Sequence, residues 1–291
     1  MAMAMAMAMA MAMATSGGAA CGWGVHDAAT DAGPDAAHAD GDGDGGGAMN
    51  EDDAAPEAPG VPSGALYTVR QTDFVLERID LVTMDVVDVG PVGTLVLYGD
   101  CAWHPGDQTL YVVDGLKQND VPGHDELYRV DLVTGEGTLI GVHGVDRMFA
   151  MAYHPPTDAM VAIGGAPSTL YRLDLDTAAA TPIGPTGLPE AIDGLSWDSR
   201  RGRLVGQVAN IFGADMYTID VSTGEASHLA DTGAINNHGL AYDPGIDRLW
   251  ALDADGYLFR YDPTSGYRQA PVLADLGPHA CAAYLPDPEA R

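Results

Sequence analysis

The chain has 291 residues and sets 42 Asp and Glu against 12 Arg and a single lysine, Lys117, for a net charge of −29. A surface of that sign repels phosphate backbones and anionic head groups, which argues against nucleic acid and leaves cations, sugars, peptides and basic proteins as partners. No apolar run reaches the roughly 20 residues that span a bilayer, so membrane contact is expected only through a covalent anchor.

Residues 1–14 alternate Met and Ala strictly. Both types favour helix, and at 1.5 Å per residue the run would measure roughly 21 Å, too short to span but the length of a signal-peptide hydrophobic region. No Lys or Arg precedes it and none occurs before Arg70, so the run reads either as an export signal or as a microsatellite at a misassigned start codon. The segment TSGGAACG then brings small residues up to Cys21, followed by a polar stretch. This resembles the lipoprotein processing site of bacteria, with Gly18 where such sites carry a Leu-like residue. The resemblance implies a signal segment over 1–20 and a lipidated N-terminus at Cys21. Without it, Cys21 is an incidental thiol.

Residues 21–64 are mostly Ala, Asp, Gly and Pro. Such a segment buries too little apolar surface to offset chain entropy and is expected to be a disordered acidic tether. Within it, Asp40–Glu51 matches a calcium-loop pattern, with Asp40, Asp42, Asp44, Gly45 and Glu51 in place. Gly47 occupies the usual apolar position and no amphipathic helix flanks the loop, so a chance match in an Asp/Gly tract is expected.

From residue 65 the texture changes to short β-rich runs between turn signals. Five segments share one phrase, VLERIDLVTMDVVDVG, ELYRVDLVTGEGTLIG, TLYRLDLDTAAATPIG, DMYTIDVSTGEASHLA and YLFRYDPTSGY, with aspartates at 80, 131, 174, 220 and 262. Each reads as strand, turn, strand, with the Asp side chain capping the turn. A second unit lies between them, as in DCAWHPGDQTLYVVD and GLAYDPGIDRLWALD. Four strands per 40–50 residues are the mark of propeller blades. The last repeat stops after its inner strand, and the missing strands lie at residues 65–90. The expectation is an all-β, five-bladed β-propeller over 65–288 with circular closure, which protects its edges.

Cys101 and Cys281 fall on inner strands of blades that meet at this seam. Their odd register offset suits a contact, because strand side chains alternate. A Cys101–Cys281 disulfide is expected, consistent with an oxidising compartment; the alternative is two reduced core residues. Trp103, Tyr153, Trp197, Tyr242 and Tyr284 occupy one aligned position in all five blades. Inter-blade packing explains them, with a ring of ligand-stacking platforms as the alternative. His104 and His154 match Asp198 and Asp243 in position, which favours turn capping over catalysis.

The sequence carries no zinc spacing, phosphate loop or nucleophile elbow. Asp100, Asp193, Asn237, His238 and His279 mark the entrance end of the inner strands, where their side chains could converge at one channel mouth. The repeat phrase resembles secreted bacterial propellers of the broad NHL, YVTN and quinoprotein-like group. That resemblance specifies a fold and no chemistry. The leading expectation is a monomeric, non-catalytic binding or scaffold propeller, exported and either lipid-anchored in the cell envelope or secreted, with a protein, sugar or small-molecule partner and no cofactor. The alternative is a lactonase-like hydrolase using a divalent cation such as calcium, or a glycosidase-like one using paired carboxylates at the mouth.

Overall fold

Each repeat folds into the strand pairs that its turns delimit. The computed structural model describes residues 64–115, 125–210, 213–232, 237–253 and 255–286. The Met-Ala run, Cys21, the acidic tether and the calcium-loop match lie outside the described residues.

Strands β1 (Ala65–Arg70), β2 (Val75–Asp80) and β3 (Val86–Pro91) come first. The first complete blade is β4 (Gly99–His104), β5 (Thr109–Asp114), β6 (Glu126–Val130) and β7 (Gly137–Val142). The second is β8 (Ala150–His154), β9 (Ala159–Gly164), β10 (Thr169–Leu173) and β11 (Ala180–Pro185). The third is β12 (Gly194–Asp198), β13 (Arg203–Asn210), β14 (Gly213–Ile219) and β15 (Ala226–Asp231). The fourth is β16 (Asn237–Asp243), β17 (Arg248–Asp253), β18 (Leu258–Asp262) and β19 (Arg268–Leu273), and β20 (Ala283–Leu285) ends the chain of strands.

These make five four-stranded antiparallel sheets, the fifth in the order β20-β1-β2-β3. The C-terminal strand therefore completes a blade begun at the N-terminus, with Ala65 opposite Leu285 and Tyr67 opposite Ala283. The inner strands β4, β8, β12, β16 and β20 neighbour one another in that order, and β20 lies beside β4. The expected five-bladed propeller with circular closure is the fold observed.

The sheets twist and bury both faces, so the core is divided into five apolar clusters, one per blade interface. Leu110 and Val112 of the first blade pack with Val69 and Leu76 of the split blade. Trp250 of the fourth blade packs with Leu66 and Ile79 across the next junction. Fully burying one such side chain contributes about 1.5–3 kcal/mol.

The repeated aspartates cap their turns. Asp80 Oδ1 accepts from the N–H groups of Val82 and Thr83 at 2.9 and 3.0 Å, and Asp131 Oδ1 from those of Val133 and Thr134, both at 2.8 Å. Asp174, Asp220 and Asp262 repeat the contact. The Thr-Gly pair that follows does more than turn the chain. Gly135, at φ +80°, lies so close to the preceding blade that a Cβ there would sit 2.3 Å from the carbonyl oxygen of Gly90. Gly137 N donates to Val92 O at 2.9 Å beside it, and Ala226 N to Thr186 O repeats that bond two junctions on.

The seam is closed covalently: Cys101 and Cys281 form a disulfide with a Cα–Cα distance of 5.3 Å and a sequence separation of 180. The final inner strand is shorter than its sequence suggests. Cys281 precedes β20, and the Thr68 hydroxyl, at 2.6 Å, donates to the Cys281 carbonyl in place of a ladder N–H.

Candidate functional site

Inner strands expose one edge to the propeller axis, and the N–H groups on that edge need acceptors. At the register position of Asp100 the other blades carry Ala150, Gly194, Gly239 and Cys281, all small. Asp100 alone has a side chain long enough to reach across the space they leave. Its Oδ1 accepts from Cys101 N at 2.8 Å and its Oδ2 from Met151 N at 2.9 Å. The N–H groups of Leu195 and Ala282 also bond to it. Donors from four blades thus converge on one fully buried carboxylate. Burial pushes its carboxyl well above the usual range, against the downward pull of those four donors.

The other residues expected at the entrance mouth each have their own surroundings. His238 is half-buried, 5.9 Å from the ring of Tyr98, which itself lies 6.0 Å from Phe149. Desolvation pulls the His238 imidazole down to about 4, so it is neutral at pH 7. Asp193 is half-buried, and its main chain donates to Gln207 O at 2.8 Å and accepts from Gly239 N at 2.9 Å. Asn237 begins β16, but its side chain lies outside the described residues. His279 is wholly buried, with Nε2 at 2.6 Å from Glu77 Oε2 and Nδ1 at 2.8 Å from Gly277 O. Arg70 contacts the other oxygen of Glu77 and extends the chain to Asp73 and Asp88. With Asp100 closed to solvent, Asp100 and Asp193 do not form the water-accessible carboxylate pair that glycoside hydrolysis needs. Among the described residues, the one cluster with metal-ligand spacing is elsewhere, at Asp215, His228 and Asp231 on the outer strands of the third blade.

The opposite end of the axis is differently built. There the five inner strands run out into turns and enclose a cavity of about 250 Å³. Its wall contains all five aligned aromatics, Trp103, Tyr153, Trp197, Tyr242 and Tyr284, above small residues such as Ala102, Ala152 and Ser196. Each aromatic also packs into the interface with the preceding blade, so both roles expected of this ring fall on the same side chains. The imidazole of His104 meets Tyr153 edge-on at 4.6 Å, and that of His154 meets Trp197 at 4.7 Å. The Tyr153 hydroxyl donates to Asp158 Oδ1 at 2.7 Å and the Tyr242 hydroxyl to Asp247 Oδ1 at 2.8 Å. Tyr284 bonds to Asp243. Among the described residues, no charged side chain lines the cup, and the buried Trp103 indole N–H has no acceptor.

His104 and His154 also face their turns. His104 Nδ1 lies 3.0 Å from Asp107 Oδ1, and His154 Nδ1 lies 2.7 Å from the Thr157 hydroxyl. Asp198 and Asp243 do the same work by accepting from Arg201 N and Gly245 N.

The sequence matches no protein-family model and no curated protein. In fold it is similar to a chain in the crystal structure of the nidogen/laminin complex, at 16% identity and a TM-score of 0.52, over 77% of this chain and 85% of that one. It is equally similar to a structural-genomics protein of unknown function from Bacteroides thetaiotaomicron, at 16% identity and a TM-score of 0.52, covering 77% of this chain and 62% of that one. These likenesses support the resemblance to NHL- and YVTN-like propellers and extend to the fold alone.

Sequence reasoning missed Glu77, Tyr98 and Phe149. Glu77 sits in a strand where alternation gives no sign that a carboxylate is buried; its partners Arg70 and His279, the latter 202 residues away, explain it.

Proposed function

We propose that this chain is a non-catalytic binding propeller that receives its ligand in the aromatic cup at the C-terminal ends of the inner strands. The observation that carries this is the convergence of one aromatic from every blade on a cavity of about 250 Å³ that no charged side chain lines among the described residues. Concave, mostly apolar sites with few polar groups are the usual form of ligand pockets. The hydrolase alternative has less support, because the carboxylate best placed for it, Asp100, is committed to four backbone donors. A disulfide that joins the two ends of the ring suits an oxidising compartment, so the proposal places the propeller outside the cytoplasm. Lipid attachment at Cys21 belongs to the same proposal.

Trp103 and Trp197 both line the cup, which makes it observable by fluorescence. A panel of small cations, sugars and peptides should contain a compound that shifts tryptophan emission in the parent protein and fails to do so in Trp197→Ala. Turnover of a lactone or aryl glycoside that disappears in Asp193→Asn would overturn the proposal in favour of the hydrolase.

A further inference from the structure

We infer that the cup selects a small organic cation, an alkylated ammonium head group, over sugars and anions. The inference rests on the reading of the cup as a binding site and adds the chemistry of its occupant.

Size comes first. A cavity of about 250 Å³ lies just below the roughly 300–1,000 Å³ usual for ligand pockets, so its occupant is a small group.

Hydrogen-bonding capacity is the second consideration. A sugar presents a hydroxyl on nearly every carbon, and each loses free energy if buried without a partner. The cup offers few partners. The hydroxyls of Tyr153 and Tyr242 already donate to Asp158 and Asp247, and Tyr284 is bonded to Asp243. The Ser196 hydroxyl already accepts from Tyr242 N at 2.9 Å. An alkylated ammonium carries its charge on methyl and methylene surface and requires none of these bonds.

Charge is the third. Aromatic rings attract cations through their quadrupoles, and best when the site is partly desolvated. A phenol that donates a hydrogen bond to a carboxylate becomes a richer electron source, and all three of the cup's tyrosines, Tyr153, Tyr242 and Tyr284, bond to one. Among the described residues, no Lys, Arg or His lines the cavity to oppose a cation. Arg201 of the third blade does neutralise Asp247 of the fourth at 2.7 Å, whereas Asp158 of the second blade is exposed, with His104 Nε2 at 3.8 Å. The chain as a whole carries −29, which draws cations in and repels anions.

The test uses the full chain with its disulfide intact and follows tryptophan emission. Choline is compared with 3,3-dimethyl-1-butanol, which has the same shape without the charge, and with glucose. Choline should bind with a millimolar Kd, about tenfold tighter than the neutral isostere. Tyr153→Phe, which removes the hydroxyl bonded to Asp158, should lower the choline preference and leave the isostere unchanged. Trp197→Phe, which keeps a ring in place, should weaken choline and retain the fold. Equal binding of the isostere, or tighter binding of glucose, would overturn the charge selection while leaving the cup a binding site. No response to choline up to about 100 mM would overturn the inference outright. The binding reading falls separately, on the turnover assay with Asp193→Asn.

Discussion

Asp100 Oδ2 accepts a hydrogen bond from Met151 N at 2.9 Å, joining the first blade to the second on the axis of the ring. Leu195 and Ala282 bring the third and the split blade to the same carboxylate. Truncating it leaves several buried N–H groups without an acceptor. Asp100→Ala should therefore destabilise the propeller by about 3–5 kcal/mol, read as a lower urea midpoint at unchanged m-value. Asp100→Asn, which keeps one acceptor oxygen, should cost less. A neutral Asp100→Ala would show that water replaces the carboxylate.

The disulfide should matter through the length of chain it closes. A separation of 180 residues corresponds to about 5 kcal/mol in the chain-entropy description, an upper figure for real proteins. Differential scanning of the Cys101→Ser/Cys281→Ser double variant should show a lower Tm, and added reductant should then have no further effect on it. An unchanged Tm would mean that packing alone holds the seam.

Acid should weaken the turns. The carboxyls of Asp80 and Asp131 are held below the usual range mainly by the N–H groups two and three residues on, and Asp174 and Asp220 mainly by the hydroxyl and N–H groups of their turns. For Asp262 partial burial works the other way but is outweighed by Thr264. A carboxyl depressed by folding stabilises the fold above its unfolded pKa of about 3.9, and that contribution is lost as pH falls through the depressed value. Asp131→Asn should thus be less stable than the parent at pH 6, with the gap closing as pH falls below about 3.9 and through the depressed value. Taking the difference between the two proteins cancels the opposite trend of Asp100, Asp243 and Asp253, whose carboxyls burial raises. A gap that persists in acid would assign the loss to geometry instead of charge.

Two glycines with similar backbone separate strain from collision. Gly144 has φ +72° and open space where a Cβ would go, whereas Gly135 has φ +80° and the Gly90 carbonyl 2.3 Å away. Gly144→Ala should cost about 1 kcal/mol for the left-handed conformation. Gly135→Ala should cost about 1–3 kcal/mol more, because the outer strands of two blades must part. Equal losses by denaturant titration would argue against tight docking of the turn.

The blade count, the circular closure and the disulfide were all legible because each is a repeat property. Five aligned phrases fix the period, and an odd register offset between Cys101 and Cys281 survives alignment. The aromatic ring was equally visible, since Trp103, Tyr153, Trp197, Tyr242 and Tyr284 share one position. Its dual role was not, because whether an aligned aromatic faces a neighbour or a cavity depends on how far the inner strands stand apart. Asp100 was read as a mouth residue for the same reason. Its position is occupied by small residues in the other blades, and only the closed ring shows that they make room for it.

Asp100 and its donors also act as a stopper. Among the described residues, this buried carboxylate fills the axis between the cup and the end that carries Tyr98 and His238. A ligand in the cup then exchanges past the turns that carry His104, His154 and Asp243.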